Sequence, residues 1–217
     1  VKPDLLHATR NALRAEIASA LETQLLRVYR DHSHAGRYSP DARSAGQRAI
    51  KNVCLQLLVE TEKDEYVDLC LRQSETATNM TDEYAALQSI VHTDRVDREG
   101  ALTSFHRKWK SEPLAMDKWF AVQAGSRVKD TVERVERLIH HPSFDIKNPN
   151  KAFALLRTFA SNHVHFHRPD GAGYNLISNA VIEIDKLNPQ VAARIARSFD
   201  RWKKFDNKRQ SHAKLAL

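Results

Sequence analysis

The chain has 217 residues, of which 41% are hydrophobic, and its 34 basic and 27 acidic residues give a net charge of +7. That apolar fraction is enough for a buried core, and no run approaches the roughly 18 apolar residues of a membrane helix. The N-terminus has neither a signal-peptide pattern nor an initiator Met, so we expect a fragment of a longer polypeptide. The basic surplus is typical of a solvated surface, with nucleic acid and anionic lipid left as alternatives.

Apolar residues recur at spacings of three and four along the chain, which predicts helices rather than strands. In chain order we expect helices near 4–31, 41–60, 63–74, 80–91, 96–109, 114–124, 129–140, 149–160, 172–187, 189–200 and 202–216. Helix starts are marked by Asn79, Asn148 and Asn188, the last two followed by proline at the first helical position. Short linkers between these helices favour antiparallel neighbours.

Helices paired by such turns, at about 35 to 45 residues per pair, favour a solenoid over a four-helix bundle. The expected fold class is all-α, a superhelical solenoid of antiparallel helix pairs resembling armadillo or HEAT repeats. The sequence contains no exact repeat, so helix length and spacing alone carry this prediction. We expect a single helical domain over residues 1–217.

Cysteine usage bears on the compartment. Cys54 and Cys70 each lie within an apolar helical pattern, in "NVCLQLL" and "VDLCLR". Such positions suit buried, reduced thiols better than a disulfide framework. We therefore expect a reducing compartment, the cytoplasm.

The segment "NHVHFHRPDGAGY", residues 162–174, raises the question of a metal site. On an extended strand His163, His165 and His167 would face one side about 6.6 Å apart, and Asp170 could complete a zinc or copper site. No Cys and no second His cluster accompanies them, so a solvated or hydrogen-bonded turn is the interpretation we favour. We expect no metal ligands in this chain.

Motifs of the common hydrolases and nucleotide-binding proteins are missing. No His in the sequence is followed by Glu, which excludes the HExxH motif of zinc peptidases. The GxSxG elbow, the Walker pattern and GxGxxG are absent as well. Taken alone, the chain is predicted to contain no catalytic residue.

A family resemblance rests on stretches that cover most of residues 46–210. They are "RAIKNVCLQLL", "TATNMTDEYAALQSI", "LAMDKWFAVQA" and "HHPSFDIKNPNKAFALLRTFASNHVHFHRPDGAGY", which leads to "LNPQVAARIARSFDRWKKFDNKRQ". In order, spacing and unusual words they resemble the C-terminal helical domain of the bacterial and plant type of aminopeptidase N, the zinc-dependent alanyl aminopeptidase family.

The resemblance implies a larger enzyme that releases N-terminal amino acids from peptides. It would have an N-terminal β domain, a thermolysin-like catalytic domain with one zinc ion, a small β-sandwich, and this helical domain closing over the active site. The HExxH histidines and a later glutamate would bind zinc, and the glutamate within the motif would act as general base. All of these lie outside the sequence, which is expected to be trimmed at both ends.

Gln190 and Arg194 are the candidate substrate-binding residues. Four positions apart, they share one face near the positive end of a helix, which suits a peptide carbonyl or a carboxylate. From the residues alone, Gln190 could equally cap its own helix while Arg194 forms a surface ion pair. The resemblance implies that both reach the substrate channel. It also implies that Phe153 replaces an arginine of some bacterial members, and that His167 is the one histidine usual in its loop.

Two other function classes remain open at this point. A free-standing helical-repeat scaffold would bind another protein along its surface. Nucleic-acid binding is the weaker alternative, supported by a basic C-terminal stretch around Trp202 and Phe205 that comprises Arg194, Arg197, Arg201, Lys203, Lys204, Lys208 and Arg209. The favoured partners are a peptide substrate and the catalytic and β domains of the same polypeptide, with no membrane.

Overall fold

The structure is a computed structural model of the chain, and it describes residues 1–33, 38–95 and 97–217. In these residues it contains α-helices and short 3₁₀ and π segments, and no strand. The all-α prediction is therefore confirmed for the described residues. None of the helices found there is both long enough and apolar enough to cross a bilayer.

The α-helices follow one another through the described residues with short connections. They are α1 (Pro3–Ala20), α2 (Glu22–Asp31), α3 (Ala42–Leu58), α4 (Asp64–Thr76), α5 (Met80–Val91), α6 (Asp97–Trp109), α7 (Pro113–Ala124), α8 (Thr131–Ile139), α9 (Pro149–Ala152), α10 (Thr158–Ser161), α11 (His163–Phe166), α12 (Ala172–Asp185), α13 (Pro189–Ala196) and α14 (Asn207–Ala216). Three 3₁₀ turns span Val59–Thr61, Arg197–Phe199 and Trp202–Lys204, and a π segment spans Phe153–Arg157.

Most predicted helices are found, and the departures are local. The helix expected over 4–31 is divided at Leu21, although Leu25 N still donates to the Leu21 carbonyl at 2.8 Å, so hydrogen bonding continues across the distortion. The helix expected over 149–160 is widened in its middle by the π segment. Val96, the first residue of another predicted helix, lies outside the described residues. The spacing of apolar residues does not predict a break or a π segment within a helix, because the same face of the helix is buried on both sides of it.

Helix starts depend on side-chain caps, as the sequence predicts. The side-chain oxygens of Asn79, Asn148 and Asn188 accept hydrogen bonds from backbone N–H groups in the first turns of α5, α9 and α13. Asp41 and Asp206 cap α3 and α14 in the same way. Each cap satisfies a donor that the first turn of a helix leaves free.

Apolar side chains are buried in each of two compact units. The first unit is residues 8–103, whose fully buried side chains include Leu55, Leu58, Leu87 and Ile90. The second unit joins residues 1–7 to residues 104–217, and its fully buried side chains include Phe120, Leu155, Phe159, Phe166, Tyr174 and Ile177. The division into two compact units does not test the expectation of a single domain over residues 1–217, which stays a prediction.

A buried polar network ties four helices of the first unit together. Asp82 of α5 accepts hydrogen bonds from Lys51 Nζ at 2.6 Å and Asn52 Nδ2 at 2.9 Å, both from α3. Gln73 of α4 donates to the Asn52 side-chain oxygen at 2.9 Å and accepts from the Tyr29 hydroxyl of α2 at 3.0 Å. Because each of these polar groups has a partner, the network can be buried without leaving an unpaired charge.

Candidate substrate-binding face

Helix α13 carries the two candidate substrate-binding residues and is held at both its start and its inner face. The Asn188 side chain accepts a hydrogen bond from Val191 N at 3.2 Å, and Pro189 occupies the first turn, where its missing N–H leaves no bond unmade. Val191, Ala192 and Ile195 are buried. The opposite face of the helix is consequently left to solvent.

Gln190 and Arg194 lie on that solvent-exposed face, one helical turn apart. Neither of the two alternatives weighed from the sequence is found. Asn188, not Gln190, caps the helix, and within the described residues Arg194 has no ion-pair or hydrogen-bond partner. The face therefore offers an amide that can donate and accept, and a guanidinium with all of its donors available.

Phe153 lies beside this helix, on the π segment that packs against α13. Its ring is half-buried, and the guanidinium carbon of Arg157 lies 5.8 Å from the ring centroid. π segments inside α-helices are frequent at functional sites, because the extra residue turns side chains out of the regular helical register. Phe153, where the resemblance implies an arginine in some relatives, thus lies on an irregular element that contacts α13.

The histidine loop does not have the extended geometry considered from the sequence. Residues His163–Phe166 form the single turn α11, and a helical turn separates neighbours at alternate positions onto different faces. His163 is exposed, whereas His165 and His167 are buried. The arrangement with three histidines on one side, which an extended strand would give, is therefore not found.

His167 connects its loop to α12 and α14. Its Nδ1 lies 2.8 Å from the Tyr174 hydroxyl, and its ring lies against Phe205 with centroids 3.8 Å apart. Its carbonyl accepts a hydrogen bond from Arg209 Nε at 2.6 Å. Burial, together with the charges of His163 and Arg209, lowers the pKa of His167 to about 3, so the ring is neutral near pH 7.

Arg209 is the residue that sequence reasoning assigned to a basic surface and that the structure buries. Its guanidinium bonds the carboxylates of Asp4 and Asp206, each at 2.5 Å. Burial opposes the charge, but these two carboxylates raise the pKa of Arg209 above its ordinary value. The spacing Asp206 to Arg209, a cap followed three residues later by a basic side chain, was the available signal for this pairing.

The two glycines of "DGAGY" are required by geometry. Gly171 has a φ of +79°, a left-handed conformation in which a side chain would also meet His212. A Cβ at Gly173 would lie 2.5 Å from the Phe166 carbonyl oxygen and closer still to that of His165. Glycine at both positions therefore allows α12 to pack closely against the histidine loop.

No metal-binding cluster is formed by the residues in the described ranges. There, no three His, Cys, Asp or Glu side chains converge on a position that could hold a metal ion. His165 Nε2 is buried without a hydrogen-bond partner. Burial lowers the pKa of His165, so its ring is neutral near pH 7.

Comparisons with known proteins agree with the resemblance seen in the sequence. Aminopeptidase N of Caulobacter vibrioides is 40% identical over 204 residues, which are 94% of this chain and 24% of that protein. Aminopeptidase N of Escherichia coli is 34% identical over 218 residues, which are 100% of this chain and 25% of that protein. The chain thus spans about a quarter of the length of the curated relatives it matches.

A solved structure extends the agreement to the fold. The crystal structure of Legionella pneumophila aminopeptidase A in complex with aspartic acid has a TM-score of 0.89 and 31% identity, over 97% of this chain and 26% of that one. A family model described as "Domain of unknown function (DUF3458_C) ARM repeats" matches residues 1–217. The prediction of armadillo-like helical repeats is confirmed by that match. The chain belongs to this DUF3458_C family of ARM-repeat domains, found as a C-terminal part of aminopeptidase N proteins.

Proposed function

We propose that this chain is the C-terminal accessory part of a zinc-dependent aminopeptidase that releases N-terminal amino acids from peptides. The observation that carries the proposal is the exposed face of α13, where Gln190 and Arg194 stand one turn apart without partners in the described residues. Its similarity to proteins named aminopeptidase N supplies the reaction class. In this role the chain caps the active site and shapes the channel through which peptides reach it.

Gln190 and Arg194 bind the part of a peptide that lies beyond its N-terminal residue. An exposed Gln amide can pair with a peptide group, donating to the carbonyl and accepting from the N–H. A guanidinium can bind the C-terminal carboxylate or a side-chain carboxylate with two parallel hydrogen bonds. The face therefore favours longer peptides over single-residue amides, since only the former extend to it.

The chemistry of bond cleavage belongs to the rest of the polypeptide. The side chains in the described ranges form no group suited to a zinc ion, and the sequence has no HExxH motif, so zinc would be held by a catalytic domain outside this chain. The partners are then that catalytic domain and the β domains of the same polypeptide. We place the enzyme in the cytoplasm, where buried free thiols such as Cys54 and Cys70 persist reduced.

The test compares two substrate classes on the full-length polypeptide. Arg194→Ala should lower kcat/KM for a hexapeptide by about tenfold, because a charge-assisted hydrogen bond is lost, and leave alanyl p-nitroanilide hydrolysis within about twofold. Arg137→Ala is the control, since Arg137 is an exposed arginine of α8 in the same unit. Equal losses on both substrates would refute the role of Arg194, and a polypeptide that hydrolyses neither would refute the proposed function.

A further inference from the structure

The net positive charge of this protein comes from the end of the chain. Residues 186–217, named here the C-terminal basic segment, contain nine of the 34 basic residues and two of the 27 acidic ones. Residues 1–185 therefore contain 25 of each and have no net charge. The entire surplus of +7 comes from the last 32 residues, so it forms a local feature and not a property of the whole surface.

Both acidic residues of this segment are already paired within it. Asp200 accepts from Arg197 Nε at 3.2 Å. Asp206 binds the buried guanidinium of Arg209 at 2.5 Å, and it also caps α14 by accepting from Arg209 N at 3.3 Å. These two carboxylates are consequently not available to neutralise the remaining basic side chains.

All seven of the remaining basic side chains of the segment are exposed. Within the described residues six of them have no ion pair, and they are Arg194, Arg201, Lys203, Lys204, Lys208 and Lys214, while Lys186 pairs with Glu183. The backbone that carries them is ordered by hydrogen bonds, since Gln210 Nε2 of α14 donates to the carbonyls of Lys203 at 3.0 Å and Phe205 at 2.8 Å. Uncompensated charges on a fixed backbone attract anions more specifically than a loose basic tail does.

The aromatic residues of the segment indicate what kind of anion fits. Single-stranded nucleic acid is bound by stacking bases on exposed aromatic rings. Here the ring of Phe205 packs against the ring of His167. Trp202 is half-buried, and Lys203 Nζ lies 5.5 Å from its ring centroid. Neither ring is therefore fully exposed for stacking with a base. Carboxylates need only cationic hydrogen-bond donors, which the segment offers.

We propose that the C-terminal basic segment selects peptide substrates that carry Asp or Glu side chains beyond the N-terminal residue. Arg194 belongs both to this segment and to the α13 face that binds peptide, so the two features are continuous along the chain. The inference rests on the proposed function and adds the substrate class. The basic side chains act by raising the local concentration of acidic peptides and by pairing with their carboxylates.

The experiment uses the full-length polypeptide and two hexapeptides with the same N-terminal alanine, one with Glu and one with Gln at positions three and five. At 50 mM salt the Glu peptide should be favoured about tenfold in kcat/KM, mainly through KM, because two exposed ion pairs form. At 500 mM salt the preference should fall to about twofold or less, since screening shortens the range of the charges.

Variants locate the effect. The triple variant Lys203→Glu, Lys204→Glu, Lys208→Glu should abolish the preference for the Glu peptide. If that variant does not fold, the neutral variant Lys203→Gln, Lys204→Gln, Lys208→Gln takes its place and should reduce the preference. The control variant Lys110→Glu, Lys129→Glu, Lys147→Glu changes the net charge equally at exposed positions outside the segment and should keep the preference.

Each outcome decides a separate point. Equal hydrolysis of the Glu and Gln peptides, with alanyl p-nitroanilide still cleaved, would overturn this inference and leave the proposed function standing. An equal loss in the control variant would show a general charge effect and overturn it as well. If a labelled oligodeoxynucleotide binds in place of the Glu peptide, and the Lys203, Lys204 and Lys208 variant loses that binding, the segment recognises nucleic acid instead. A polypeptide without any peptidase activity would remove both proposals.

Discussion

Replacing Asp82 by Asn should strongly destabilise the first unit. Asp82 is 6% exposed and lies at the centre of the buried network, where its carboxylate accepts from Lys51, Asn52 and the capping residue Asn79. The substitution keeps the size of the side chain but removes its charge. It therefore leaves the Lys51 ammonium, whose side chain is 11% exposed, without a counter-charge.

The expected cost is about 3–5 kcal/mol of unfolding free energy, the usual loss when one member of a buried ion pair is removed. That is a large fraction of the roughly 5–15 kcal/mol by which whole domains are stable. Asp68→Asn is the matched control, because Asp68 is an exposed aspartate on α4 of the same unit. Its loss should stay within about 0.5 kcal/mol.

The same carboxylate makes stability depend on acid. Burial favours the neutral form of Asp82, but hydrogen bonds from Lys51, Asn79 and Asn52 outweigh it and hold the pKa below its ordinary value of 3.8. A depressed pKa in the folded state means that the contribution is complete above about pH 4 and is lost as the pH falls through the folded pKa. Asp82→Asn should remove this part of the acid sensitivity.

Urea unfolding of the 217-residue chain measures the effect. Trp109, Trp119 and Trp202 all lie in the second unit, so tryptophan fluorescence follows that unit, whereas far-UV circular dichroism follows the helices of both. The circular dichroism transition of Asp82→Asn should begin at lower urea than that of the unsubstituted chain. A loss below about 1 kcal/mol by circular dichroism would refute the reasoning, because a buried ammonium cannot lose its partner so cheaply.

Two further predictions concern the segment from the histidine loop to α12. Gly173→Ala should lower the thermal midpoint, because its Cβ would overlap the Phe166 carbonyl at 2.5 Å. Gly46→Ala in α3 is the control, because nothing lies within 4 Å of its Cβ, and it should raise stability by up to about 1 kcal/mol. Thermal midpoints that shift in the same direction in both variants would contradict this reasoning. His167 has its pKa lowered from 6.5 to about 3, so the folded state resists protonation and stability should fall as the pH drops below about 6.5. Unfolding free energies between pH 7 and pH 4 should show a smaller slope in His167→Gln, and an unchanged slope would exclude His167 as a source.

Local signals in the sequence were sufficient for the helices and for the start of α13. Asn188 followed by Pro189 predicts a cap and a first turn, and the structure has both. Buried apolar residues such as Leu55, Leu58 and Ile177 fall on helical spacings, so the all-α class followed from period alone.

Long-range polar pairing could not be predicted in the same way. Lys51 and Asp82 are 31 residues apart, and nothing in helix spacing says that two charged side chains will be buried together. Arg209 belongs by sequence to a run of basic residues, and only its contacts with Asp4, Asp206 and His167 separate it from its exposed neighbours. The single helical turn at His163–Phe166 was also missed, because four residues are too few to show a period.

The bond between Arg209 and Asp4 joins residues 205 positions apart in the chain. At a synthesis rate of about 5–20 residues per second, Arg209 is therefore made roughly 10 to 40 seconds after Asp4. Closing so long a loop carries a large entropic cost, so this contact forms late. The second unit can reach its final packing only after residue 209 has left the ribosome.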